Sequence, residues 1–178
     1  MKFKLSRNFK YSIAFFLAIF FAGLVGQPFP HGYLHPADPL VMMAAVVLPT
    51  PYALVVSVLP CVAVDLVKGY YLLSVTTLII KVLMVLAVKG LLKIPAAKNY
   101  PDIVAAPAAL IPVPCYYLSI ALETCFIKKQ PAAEAFIYAT RTLGKDLVQG
   151  VASLLLFMLL YTVYKKLKQR RKNKKTAE

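Results

Sequence analysis

Apolar residues run along this chain in six blocks, roughly 11–26, 36–49, 51–67, 72–92, 103–127 and 146–165. Short stretches rich in proline, glycine and basic residues part them. Inside the blocks the pattern barely alternates, so the predicted helices are apolar on almost every side. Such helices belong in lipid or in a deep core, and a bilayer crossing takes about 20 such residues. The second and third blocks meet at Pro49-Thr50-Pro51. Proline removes a backbone donor and disfavours helix in the residue before it. The chain is therefore read as two helices there, the second of the six being short. The first block follows basic residues, as a signal peptide would. Further apolar blocks come after it and no small-residue cleavage site does, so Tyr11–Val25 is read as a retained first helix.

Composition agrees with a membrane protein. Hydrophobic residues make up 60% of the chain and charged residues 16%, with a mean hydropathy of +0.70. Soluble domains lie nearer about 45–50% and about 25%. At 178 residues the chain is one domain, residues 1–178. The net charge of +14 sits mainly at its ends. Lys2, Lys4, Arg7 and Lys10 form a basic N-terminus, 1–10. Lys165, Lys166, Lys168, Arg170, Arg171, Lys172, Lys174 and Lys175 make 166–178 a polybasic tail with its first lysine at the helix edge. Basic clusters beside apolar spans mark cytoplasmic ends. Nucleic acid is not the expected partner; for the tail, anionic lipid headgroups are. With both termini cytoplasmic the number of crossings is even, which selects six. The fold class is all-α integral membrane protein, six transmembrane helices. Residues 27–35, 68–72 and 128–145 then lie outside, and 49–52 and 93–102 inside. Fifteen of the 21 Lys/Arg are cytoplasmic in this topology. The 128–145 stretch, with Lys128, Lys129, Arg141 and Lys145, is a partial exception, read as a loop folding back over the outer mouth.

Lys81 stands out within the run Ser74–Val88. A charge at a bilayer centre costs about 2.5–3.5 kcal/mol on insertion scales. With the fourth helix starting near Leu72, Lys81 lies about 14 Å in, and its stem can lift the ammonium outward. Thr77, four residues earlier, shares its helix face. Asp65 at the outer end of the third helix is the expected carboxylate partner, and contact with a ligand is the other role open to Lys81. Asp38 opens the second helix, as an N-cap carboxylate or as part of a site. Gly69 fits a helix C-cap, and Tyr70 and Tyr71 an interfacial aromatic belt. Asp146 and Gln149 share a face at the start of the sixth helix. Tyr33, Tyr70 and Tyr117 are placed to stack on an aromatic ring. His31 and His35 are four apart, but Gly32 and Pro36 argue against a helix that would present both to a metal. No metal and no cofactor is expected. Cys61, Cys115 and Cys125 have no C-x-x-C or zinc spacing. Nucleotide-hydrolysis and acyl-transfer motifs are absent: Gly144-Lys145 lacks the first P-loop glycine, with Ala139 in its place. On the first helix Ala14, Ala18 and Ala22 recur every four residues. That stripe suits close helix approach, either to the chain's own helices or to a partner's.

These residues resemble a family. Ala37-Asp38-Pro39, Asp65-Leu66-Val67-Lys68-Gly69-Tyr70, Thr77-Leu78-Ile79-Ile80-Lys81 and Asp146-Leu147-Val148-Gln149-Gly150 resemble the G-D-P, D-x-x-x-G-Y, T-x-I-I-K and N-x-x-Q-G patterns of the substrate-binding S components of energy-coupling factor (ECF) vitamin transporters. The branch is that of the riboflavin, pyridoxine and hydroxymethylpyrimidine carriers. Ala14-x-x-x-Ala18-x-x-x-Ala22 is similar to the alanine motif with which S components dock on the coupling subunit. The likeness covers most of the chain and is strongest over 37–90. Ala37 and Asp146 stand where the branch has glycine and asparagine, and Pro49 falls where a glycine often lies.

The resemblance implies a multi-pass protein of a bacterial plasma membrane that is not itself an enzyme. It implies capture of a vitamin-like small molecule from outside, under a lid between helices one and two. The substrate-binding residues would be His31, Tyr33, Asp38, Asp65, Tyr70, Thr77, Lys81, Tyr117, Asp146 and Gln149. Docking through Ala14, Ala18 and Ala22 on a coupling transmembrane subunit with two ATPase subunits would follow. Two other readings stand beside it: a small membrane scaffold or assembly protein that binds no solute, and a membrane enzyme for lipid-linked substrates using Asp38, Asp65 and the histidines.

Overall fold

The structure is a computed structural model that describes residues 6–26, 28–29, 32–33, 35–95, 97 and 100–176. Side chains are described for these except 28–29, 32–33, 101–103, 171–172 and 174–176. The described residues are helical apart from one two-stranded ribbon. The elements are α1 (Arg7–Leu24), β1 (Pro28–Phe29), β2 (Gly32–Tyr33), α2 (Asp38–Val47), α3 (Thr50–Val67), α4 (Tyr71–Leu91), α5 (Pro101–Leu110), α6 (Pro112–Leu122) with a π-helical turn Glu123–Ile127, α7 (Ala132–Thr140) and α8 (Leu143–Thr176). The ribbon pairs Pro28 with Tyr33 and Phe29 with Gly32, antiparallel.

Among the described residues, five stretches are long and apolar enough to cross a membrane: α1, α3, α4, the run Val104–Ile127 through α5 and α6, and Leu143–Arg170 of α8. The second expected span is different. α2 has ten residues, about 15 Å at 1.5 Å per residue, half a hydrocarbon core of about 30 Å. Two side chains fix its level against α4. Lys81, midway along α4, pairs with Asp38 at the start of α2. Lys89, near the end of α4, donates to the carbonyl of Leu48 at the end of α2. So α2 runs parallel to the second half of α4. The ribbon segment, not helix, leads into it from the end of α1.

Local sequence explains the turns. The break between α2 and α3 falls at Leu48 and Pro49, with Pro51 in the first turn of α3, where its missing donor costs nothing. Gly69 has φ +80°, and its N–H bonds to Leu66 O at 3.1 Å while Tyr70 N–H bonds to Asp65 O at 2.8 Å. That is a full Schellman closure of α3, for which glycine is the natural residue. Lys68 donates to Gly23 O and Gly26 O at 3.0 and 3.1 Å. A cation at the carboxyl end of α1 answers its exposed carbonyls. Partial burial lowers the Lys68 pKa, while the Asp65 carboxylate opposes the shift.

Two stretches depart from the expected loops. Residues 132–140 form α7 instead of irregular chain. Ala135 and Ala139 bury one side of it, where Ala139 packs with Ile120 and Ala121, and Phe136 meets the ring of Tyr117 at 6.0 Å. The last helix begins at Leu143 and continues through the basic tail to Thr176, and residues 165–176 hold no proline or glycine to end it.

The main core gathers Val41, Met42, Leu48, Ile80, Met84, Val85, Val88 and Phe157 among others, all buried. α5 and α8 approach closely at Gly150, where an added Cβ would meet the carbonyl oxygen of Ala109 at 3.0 Å. Gly150→Leu is expected to destabilise the fold by about 1–3 kcal/mol through overpacking, read as a lower thermal midpoint in detergent. An unchanged midpoint would show that the two helices do not meet there.

Candidate functional site

The polar residues scattered over the sequence converge where α2, α4 and α8 meet. Asp38 is the first residue of α2, Lys81 the middle of α4, and Gln149 the second turn of α8. Lys81 Nζ donates to Asp38 Oδ1, and Gln149 Nε2 donates to Asp38 Oδ2 at 2.8 Å. Gln149 Oε1 in turn accepts the backbone N–H of His35 at 3.0 Å. The His35 ring nitrogen Nδ1 stands 3.8 Å from Asp38 Oδ1. Lys81, Asp38 and Gln149 are 0, 1 and 4% exposed. Both oxygens of one carboxylate are thus taken by donors from two other helices, and the same glutamine holds the chain just ahead of α2.

Such an arrangement resolves the cost of Lys81. A buried ammonium without a counter-charge is strongly unfavourable, and a hydrogen-bonded carboxylate offsets it. The expected partner was Asp65; the partner is Asp38. Because α2 starts half-way along α4, its first side chain meets Lys81 directly, and the lysine need not reach the end of α3. Asp38 is not an N-cap either: Ala37 occupies that position and no side chain caps the helix. Asp65 is fully buried beneath the α3 cap, and its charge is felt by Lys68.

The remaining predicted residues divide. Thr77 is buried on the Lys81 face of α4, beside Tyr116. Tyr70 is half-buried as the residue before α4. Tyr117 is half-buried and turned to α7. Asp146 lies in the first turn of α8, where its Oδ1 pairs with the adjacent Lys145 Nζ at 3.0 Å. Lys145 also stands 5.6 Å from the centre of the Tyr116 ring. His31 lies outside the described residues. Tyr33 is placed in β2, and its side chain lies outside them too. The expected substrate-binding set left out His35, weighed only as a metal ligand or in the enzyme reading, and Tyr116. Tyr116 shares the buried face of α6 with Pro112 and Ile120, a four-residue spacing that distinguishes it from Tyr117. For His35 the hydrogen bond to Gln149 is made by the backbone N–H, which side-chain type does not signal.

On α1, Ala14 and Ala18 are exposed, while Ala22 is partly buried against the core. The alanine stripe is therefore covered by the chain's own helices at one end only. Among the described residues no group of three or more His, Cys, Asp and Glu side chains is placed to hold a metal ion. No family model, curated protein or solved structure matches the chain.

Proposed function

We propose that this protein is the substrate-capture S component of an ECF-type importer for a small vitamin or vitamin precursor, of pyridoxine, hydroxymethylpyrimidine or riboflavin type. The observation that carries the reading is the buried Asp38–Lys81–Gln149 cluster tied to the backbone of His35. A membrane protein keeps ionisable groups at such depth chiefly for function, and this set sits where the ribbon segment joins the bundle. The ribbon and the chain to His35 act as the lid. Opening it breaks the His35–Gln149 bond and bares Asp38 and Lys81 to a polar heterocycle. In this reading α2 and the segment before it make the second of six crossings, both termini are cytoplasmic, and the membrane is the bacterial plasma membrane.

ATP hydrolysis belongs to two separate ATPase subunits, reached through a coupling subunit that docks on Ala14 and Ala18. The exposed small residues support this, because a partner helix can approach closely there. Purification from its native membranes in mild detergent is expected to bring down a coupling subunit and its ATPases. Recovery of the chain alone, from membranes that contain such a module, counts against the assignment. The scaffold reading has one observation in its favour: the cluster's groups satisfy one another. It predicts that function survives removal of the whole pair in a folded Asp38→Asn/Lys81→Met chain.

A further inference from the structure

The carboxyl end of α8 has a property that solute capture does not use. The helix runs unbroken from Leu143 to Thr176, 34 residues, or about 51 Å at 1.5 Å per residue against an apolar core of about 30 Å. The excess carries Lys165, Lys166, Lys168, Arg170, Arg171, Lys172, Lys174 and Lys175, with no acidic residue before Glu178. At about 100° per residue, Lys165, Lys166, Lys168 and Arg170 spread over roughly 200° of the helix circumference, Lys166 and Arg170 sharing one side. All are exposed. No apolar face remains for the segment to lie flat on a membrane as an amphipathic helix does. It leaves the bundle as a cationic rod. These four cations lie within about 9 Å of Tyr164 along the axis, close to the depth of one headgroup layer, about 5–8 Å. The rings of Tyr161 and Tyr164 lie below them, 6.2 Å apart and tilted by 42°, and the Lys168 ammonium is 5.9 Å from the Tyr164 ring.

A rod of one charge opposes its own helix. Lys166 and Arg170, Lys168 and Lys172, Arg170 and Lys174, and Arg171 and Lys175 are like-charged pairs four residues apart, and each such pair disfavours the helical state. Helix here calls for counter-anions. We propose that the collar Lys165–Arg170 binds the phosphates of anionic phospholipids and that this binding holds the last turns of α8 helical. Phospholipid is the occupant that the position favours. The collar follows directly on the span, at the level of the headgroup layer, and its cations spread over roughly 200° of the helix circumference, so that several lipids of the surrounding leaflet can reach them. A soluble polyanion would meet the distal turns instead.

Hydrogen exchange on the full chain in lipid nanodiscs tests this. In discs of equal parts phosphatidylglycerol and phosphatidylcholine, amides 166–176 are expected to exchange about tenfold more slowly than in phosphatidylcholine alone, an opening equilibrium moved by a decade. High salt is expected to erase the difference. The variant K165Q/K166Q/K168Q/R170Q is expected to exchange alike in both discs. Adding inorganic phosphate or an RNA oligonucleotide to the phosphatidylcholine discs is expected to give no protection. Equal exchange of the wild-type chain in the two discs overturns the proposal, as does protection by free phosphate or RNA matching that by phosphatidylglycerol.

Discussion

Lys81→Met is expected to be the most damaging single substitution in the chain. It leaves the Asp38 carboxylate buried with the Gln149 amide still donating to it, and breaking a buried pair from one side costs about 3–5 kcal/mol. Asp38→Asn is expected to do similar harm by stranding the ammonium. The double variant Asp38→Asn/Lys81→Met removes both charges at nearly constant volume and keeps an oxygen for Gln149. Replacing a whole buried pair by neutral groups is often close to neutral in stability. Thermal unfolding of the four proteins in one detergent reads the cycle: two low midpoints and a largely restored third. Two single-variant losses that simply add would show that Asp38 and Lys81 are not coupled. The restored double variant also separates structure from function, since the transport reading has it folded yet unable to hold ligand.

Ala18→Leu is expected to abolish uptake while leaving ligand binding and stability intact. Ala18 is exposed, so within the isolated chain a leucine meets no neighbour, and surface substitutions usually stay within about 0.5 kcal/mol. Against a closely packed partner helix the same leucine overfills the contact by about 1–3 kcal/mol, roughly a 5–150-fold loss of association. Leu17→Ala, an exposed position off the alanine stripe, is the control and is expected to retain uptake. Equal loss of binding and uptake in Ala18→Leu would remove the docking argument.

Much of the architecture was legible in the chain because its signals are local. Pro49 and Pro51 end one helix and begin another, and Gly69 supplies a left-handed residue where α3 must close. The polar candidates were legible as well, since residue type and helical spacing select faces. Depth was not. Spacing along α4 shows that Thr77 and Lys81 share a face, but says nothing of what lies at their level. That depends on α2 being a half-length helix beside the second half of α4, a product of tertiary packing. The Lys81 partner therefore changed from Asp65 to Asp38. Asp146 escaped for the opposite reason: its partner is the adjacent Lys145, and neighbours in sequence do not share a helix face. α7 was hidden because one short amphipathic turn pattern is weak until α6 covers its alanines. The helical tail was hidden because its charge argues against a helix and its residue types argue for one.

Native mass spectrometry of the protein purified gently from cells grown in rich medium tests the central claim most directly. The account predicts a wild-type chain carrying a retained, vitamin-sized polar adduct, and an equally folded Asp38→Asn/Lys81→Met chain without it. A wild-type chain with no small-molecule adduct, or the same adduct on both proteins, would contradict it.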